Sequence, residues 1–293
     1  MAIFNLGSIN IDKFFHLPTL PAPGETISAS SLRTDLGGKG ANQTVAAARA
    51  GARVYHIGMI NRADAAMVDI LRQAGADVTH VHMTDEPSGQ ANIYLDAAGE
   101  NTIVLLGGAN LMLTEAAVAA ALETAQAGDW LILQNETNLV AFAARHAREK
   151  GLHVAYSAAP FDAQAVREVL PYVTLLAVNE VEHRQLLDSL PEAADQVAGL
   201  DLIVTKGEKG ADFRRPSGTL HQPAFPVEVQ DTTGAGDTFL GYFVAALDLG
   251  LDPATALLRA AAAGALQASR RGTASVIPDS AEVDAFIATR DKT

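Results

Sequence analysis

At 293 residues, 48% hydrophobic and 19% charged, the chain can bury a large core as one α/β domain with an accessory piece or as two domains. Its net charge of −13 argues against nucleic acid and anionic membranes as partners, although a local basic pocket could still hold a nucleotide. Cysteine is absent, which excludes disulfides, thiolate metal sites and cysteine nucleophiles. The first twelve residues lack a basic start followed by an apolar core. No apolar run reaches membrane-spanning length, so a cytoplasmic location is expected.

Residues 2–8 read as a buried strand leading into Gly7-Ser8-Ile9-Asn10-Ile11-Asp12. Open α/β sheets build their sites just beyond the carboxyl ends of such strands, and Asn10 and Asp12 share a face if the strand continues. A loop closed by Asn and Asp is the plainer alternative. The proline-rich residues 18–25 and the exposed, strand-like 26–34 interrupt the βα rhythm, so 13–35 reads as an excursion forming a small flap. Gly37-Gly38-Lys39-Gly40-Ala41-Asn42-Gln43 then opens an alanine-rich helix running to about residue 50. It is not a Walker A loop, because Arg33 stands five before Gly38 and neither Ser nor Thr follows Lys39. A lysine and an asparagine in a glycine turn suit contacts to hydroxyls or phosphate.

Strand 53–59, helix 63–74 and strand 77–83 continue as parallel βα units. His80 and His82 lack a third ligand at useful spacing and read as structural. Residues 90–95 alternate weakly and suit pairing with the flap, whereas 102–106 read as a buried strand. Beyond them Thr114 caps a helix to about 127, and helices at 138–150 and 163–170 alternate with strands at 130–133, 152–157, 172–178 and 200–205. Short β structure follows over 212–226. Polar residues recur at carboxyl strand ends: Asn10 with Asp12, Glu136, Asn179 with Glu182, and Thr205 with Gly207. A parallel sheet gathers all of these at one edge.

The densest motif is Asp231-Thr232-Thr233-Gly234-Ala235-Gly236-Asp237-Thr238-Phe239, between an apolar, strand-like run at 225–229 and a helix at 239–249. Glycines at a helix start leave N–H groups uncovered, and the helix N-terminus favours anions. Asp237 adds a carboxylate able to take a proton from a hydroxyl while those N–H groups stabilise a transferring phosphoryl group. A turn with an Asp cap is the alternative. A dinucleotide fingerprint is disfavoured, because Phe239 stands where that motif needs a small residue. A helix over 253–269 and another from 281 close the chain.

These motifs, with Pro21-Ala22-Pro23-Gly24-Glu25-Thr26 and Gly108-Ala109-Asn110, resemble the ribokinase-like (phosphofructokinase-B type) carbohydrate kinase family over nearly the whole length, and most closely its ribose-phosphorylating members. The resemblance implies a single domain over 1–293: a three-layer α/β/α sandwich around a mainly parallel sheet, with a small β lid from about 13–35 and 89–100. It implies ATP-dependent phosphorylation of a sugar hydroxyl, of D-ribose before other pentoses, ketohexoses or nucleosides. A catalytically silent sensor on the same fold is disfavoured by the retained motifs. Asp237 would be the base, and Gly234, Ala235 and Gly236 the anion hole. Asn10, Asp12, Gly38, Lys39, Asn42 and Glu136 would contact the sugar. Asn179, Thr205, Lys206, Gly207, Glu208, Gly210 and Gly236 would contact ATP, with Glu182 holding Mg²⁺ through water. A monovalent cation, potassium, would sit among Asp231, Thr233, Gln267, Arg270, Gly272 and Ser275, and a homodimer would form through the lid. The chain departs from the family pattern at Asn61-Arg62-Ala63-Asp64-Ala65-Ala66, at Ser157-Ala158-Ala159-Pro160, at Ala261 and in Arg271-Gly272-Thr273-Ala274-Ser275.

Overall fold

Ile3, Phe4 and Leu6 are all buried in one short strand, so side chains pointing to opposite faces both need cover. That requirement sets the layering. The structure, a computed structural model, describes residues 1–290. It opens with β1 (Ile3–Leu6), β2 (Asn10–His16), β3 (Ser31–Gly37), α1 (Lys39–Arg49), β4 (Val54–Asn61), α2 (Val68–Gln73), β5 (Asp77–Thr84), β6 (Gly89–Leu95) and β7 (Asn101–Leu106). Then come α3 (Glu115–Ala121), β8 (Trp130–Gln134), α4 (Val140–Glu149), β9 (His153–Ser157), α5 (Ala163–Val169), β10 (Leu175–Asn179), α6 (Glu180–Ser189), α7 (Ala194–Ala198) and β11 (Asp201–Thr205). The hairpin β12 (Ala211–Arg215) and β13 (Gly218–Gln222) precedes α8 (Ala235–Asp248), α9 (Pro253–Ala268) and α10 (Ser280–Arg290).

The central sheet runs β13-β12-β11-β10-β9-β8-β1-β4-β5, parallel except for the β12–β13 hairpin at one edge. One apolar layer joins Ile3, Val54 and Ile132 to α1, α8 and α9; the other joins Phe4, Leu6, Leu131 and Leu133 to α3, α4 and α5. Strand order changes direction at β1, which places the switch point, and hence the natural crevice, at the carboxyl ends of β1 and β8. Two glycines let α1 settle there. A Cβ on Gly40 would lie 2.3 Å from both the Gly7 Cα and the Ser8 backbone nitrogen. Gly40→Ala is therefore expected to cost about 1–3 kcal/mol by forcing α1 off β1, read as a lower denaturation midpoint in urea.

The second sheet is small and ordered β3-β2-β6-β7. The polypeptide does continue as a strand through Asn10 and Asp12, but in this sheet rather than in the central one. Its edge strand β3 lies over 31–37, later than the expected 26–34, because the Pro21–Pro23 region and the left-handed Gly24 form a turn capped by Glu25 on the Ala22 amide. Residues 102–106 are corrected outright. They form β7, a lid edge paired only with β6, and every residue of that strand is exposed. An apolar run reads as buried from composition, but an edge strand takes its surroundings from what lies beside it. Residues 225–229 have no regular structure, α3 stops at Ala121, and the expected helix at 63–74 begins as a 3₁₀ turn capped by Asn61 before α2.

Candidate active site

Gly234 adopts a left-handed conformation (φ 74°) at the start of α8, which only glycine enters freely. The Ala235 amide donates to the Thr232 carbonyl at 3.2 Å, while Gly236 lines an open cavity and a Cβ there would meet nothing within 4 Å. One residue on, the Asp237 carboxylate accepts from the Asn42 side chain at 3.1 Å and from the Gln43 side chain at 3.0 Å. Helices α1 and α8 come this close because position 241 is glycine: a Cβ there would lie 2.6 Å from the Ala46 Cβ. Behind Asp237 runs a buried chain of amides. Gln43 accepts from Gln134 at 2.7 Å, Gln134 donates to Asn5 at 2.9 Å, and Asn5 donates to Thr44, which meets His56 at 2.7 Å. Burial drives the His56 pKa down to about 4, so this chain ends on a neutral imidazole.

A second polar group faces Asp237 from the small sheet. Asn10 accepts from Asn110 at 2.7 Å, and Asn110 in turn accepts from the Ile9 amide at 2.9 Å. Glycines flank Asn10 on both neighbouring strands. A Cβ on Gly89 would strike Asn110 and Asn10, and one on Gly37 would lie about 2 Å from the Asp12 carboxyl. Asp12 is 6% exposed, with one carboxyl oxygen unpartnered among the described residues. Burial first, then repulsion from Glu136 and Asp35, raise its pKa to about 7. Glu136 is fixed at the body side of the pocket, where it accepts from the Ser8 hydroxyl at 2.5 Å and the Lys39 amide at 2.9 Å. Gly38, at φ 93°, brings this backbone against Ser8. The Lys39 side chain lines the cavity on the Asp237 side. Asp237 raises its pKa against the opposing effect of burial, with smaller help from Glu136 and Glu182.

That cavity, of about 220 Å³, continues from Asp237 and Gly236 past Thr232 to Asn179, Glu182 and Thr205 at the ends of β10 and β11. Asn179 and Glu182 form a capping box, the Asn179 side chain accepting from the Val181 and Glu182 amides while Glu182 accepts from the Asn179 amide. Gly207 and Gly210 take left-handed turns beyond β11, with Glu208 between them. The Lys206 ammonium is engaged at 2.5 Å by Asp212. Among the described residues no cluster of three or more His, Cys, Asp or Glu side chains could hold a metal. Glu182 and Asp237 are the carboxylates on the cavity wall, and so small a donor set suits a metal ion that arrives with phosphate oxygens and water.

The six residues expected around a monovalent cation are brought together only in part, and two of their carbonyls, those of Thr233 and Gly272, already accept from Gln267. Asp231 accepts from the Thr233 amide, Ser275 donates to Asp35, and the Arg270 guanidinium pairs with Glu282. Gln267 donates to the Thr233 and Gly272 carbonyls. This donor set does not fit a bound cation. The sequence alone assigns no role to Ser8, Gln43, Asn110 or Gln134. The available signal was polarity in a run otherwise made for burial, since Asn42, Gln43 and Thr44 interrupt an alanine-rich helix.

A three-layer α/β/α protein with a glycine-led helix start, a carboxylate held beside it and a polar pocket roofed by a second sheet has the build of a small-molecule kinase. Residues 3–280 match the pfkB family carbohydrate kinases, and the chain belongs to that family. It is 36% identical to the ribokinase of Haemophilus influenzae over 301 residues, covering 96% of this chain and 97% of that protein. Among solved structures it is similar to ribokinase from Thermotoga maritima, with 30% identity, a TM-score of 0.86, and 98% of this chain and 99% of that one covered. It is also similar to Arabidopsis thaliana ribokinase complexed with ribose and ATP, with 27% identity, a TM-score of 0.83, and the same coverage of both chains.

Proposed function

We propose that the chain is an ATP-dependent kinase that converts D-ribose to D-ribose 5-phosphate, with Asp237 as the base. The observation that carries this reading is Asp237 itself, which takes a hydrogen bond from Asn42, lies within electrostatic reach of Asp12, and lines the cavity leading to Thr205. Carboxylates and carboxamides pair with several hydroxyls of a furanose at once, and a missing hydroxyl leaves them unpaired and buried. Similarity to ribokinases, one of them complexed with ribose and ATP, supports ribose as the acceptor.

In the proposed step, the sugar hydroxyl loses its proton to Asp237 as its oxygen bonds to the γ-phosphorus, and the bond to the ADP oxygen breaks in line. The Gly234–Gly236 turn receives charge on the transferring group, and Lys39 stands beside Asp237 to offset it. Asn179, Thr205 and the 206–210 turn form the nucleotide side of the reading. Mg²⁺ is expected to enter with ATP, held at Glu182 through water, and supplies charge neutralisation on the phosphates. Potassium, implied by the resemblance, has no part in this reading. The exposed strand of Ile103, Val104, Leu105 and Leu106 supports a homodimer through the small sheet, and the cytoplasm is the expected location. No helix among the described residues is long and apolar enough to cross a membrane.

ADP release under saturating ATP, measured across ribose, 2-deoxyribose, other pentoses, fructose and nucleosides, tests the assignment. Ribose is expected to give the highest kcat/KM. A nucleoside or ketohexose ahead of it would move the acceptor, and no sugar-dependent ADP at all would favour a silent sensor.

A further inference from the structure

Three backbone carbonyls from two separate segments converge on one buried nitrogen. The Gln267 side-chain amide donates to Gly272 at 3.0 Å, to Thr233 at 3.2 Å and to Thr273 at 3.3 Å. Carbonyl oxygens gathered in this way repel one another unless a positive centre sits between them, either a cation or a strongly polar N–H group. Chemistry also fixes which way the amide faces. Without a cation among them, the amide turned over would set its own oxygen against all three carbonyls, so the nitrogen faces them. Gln267 is fully buried, and its oxygen lacks a partner among the described residues, a cost accepted so that its nitrogen can serve the cluster.

The cluster lies directly behind the phosphoryl-binding turn. Thr233 precedes Gly234, whose Cβ, if it had one, would lie 3.6 Å from the Gln267 nitrogen and 3.3 Å from the Asn42 amide. The carboxyl end of α9 grips the same loop again, since the Gln230 and Asp231 amides both donate to the Ala268 carbonyl. The other segment is tied to the small sheet, with the Thr273 hydroxyl donating to the Leu36 carbonyl at 2.6 Å. One side chain therefore joins the turn beneath Asp237 to the loop beneath β3.

We infer that Gln267 stands in for the monovalent cation: its amide holds the Thr233, Gly272 and Thr273 carbonyls together, so this kinase works without potassium. The inference rests on the kinase reading above, and it would separate this chain from kinases that need a cation at this position. A neutral amide is permanently in place, whereas an ion must be recruited from solution.

The test compares wild type with Gln267→Ala in potassium chloride and in tetramethylammonium chloride at equal ionic strength, by ribose-dependent ADP release and by thermal denaturation without substrates. Wild type is expected to give the same rate and the same midpoint in both salts. Gln267→Ala, its amide gone and its carbonyls open, should lose roughly tenfold in rate in tetramethylammonium and regain it in potassium. Its midpoint should rise with potassium concentration, as binding to the native state alone requires. Potassium activation or stabilisation of wild type overturns the inference, even if the variant fails to fold. So does a folded variant that is equally active, or equally inactive, in the two salts. If wild type phosphorylates no acceptor in either salt, the kinase reading fails, while the potassium dependence of the two midpoints still decides the role of Gln267.

Discussion

Asp237→Asn is expected to lower kcat by about 10³-fold while the KM for sugar stays near that of wild type, as for loss of a general base. The carboxylate is held between two donors, the Asn42 and Gln43 amides, each spending an N–H on one of its oxygens. An asparagine keeps one acceptor and turns an NH₂ group toward the other donor, so it removes the base and also sets two donors face to face. Asp237→Ala separates these effects, because it removes the base without the clash. If both variants lose activity equally, proton removal accounts for the loss. If Asn is far worse than Ala, the clash contributes. A variant retaining the wild-type rate would remove Asp237 from the role of base.

Asp12→Asn is the second large effect, and it acts on binding and stability in opposite directions. A hydrogen bond to a charged group contributes about 1.5–3 kcal/mol, so the KM for sugar should rise about 10- to 100-fold with little change in kcat. Below the ordinary carboxyl range both folded and unfolded chains hold the Asp12 proton, and burial of the neutral acid carries no ionisation penalty. Between pH 3.8 and about 7 the folded chain keeps a proton that the unfolded chain has lost, so this group's contribution to stability falls as pH rises. Above about pH 7 the buried carboxylate is charged and the penalty is complete. The sugar-free Asn variant should therefore be more stable than wild type at pH 8, with the margin shrinking toward pH 4 in urea titrations. For wild type, KM should climb as pH falls through about 7, whereas the variant should lack that rise. A variant less stable than wild type at pH 8 would contradict the environment described for Asp12.

Much of this molecule was legible as pattern. The βα alternation, the cap at Thr114, and the glycine turns before Lys39 and Asp237 are local signals, and each lies where local chemistry placed it. What failed depended on neighbours distant in sequence. The 102–106 run has the composition of a core strand, but only its pairing with β6 decides that its far edge meets solvent. The partners of Gln267 are likewise set by the fold, which brings its nitrogen to the Thr233 and Gly272 carbonyls. Gln43 and Gln134 meet across 91 residues of chain, a separation beyond the reach of any periodicity.

The continuation of the first strand into the small sheet divides the pocket between two bodies. Asn10 and Asp12 ride on β2 in the small sheet, whereas Asn42 and Glu136 belong to the central sandwich. With the proposed contacts, the sugar is the piece that both halves would grip, and its affinity would record how well the two sheets are seated together. Substitutions on β6 or β7 that touch no ligand should weaken sugar binding, and bound sugar should slow amide hydrogen exchange across all four strands of the small sheet. Recognition in this chain is then a clasp, with the acceptor as its pin.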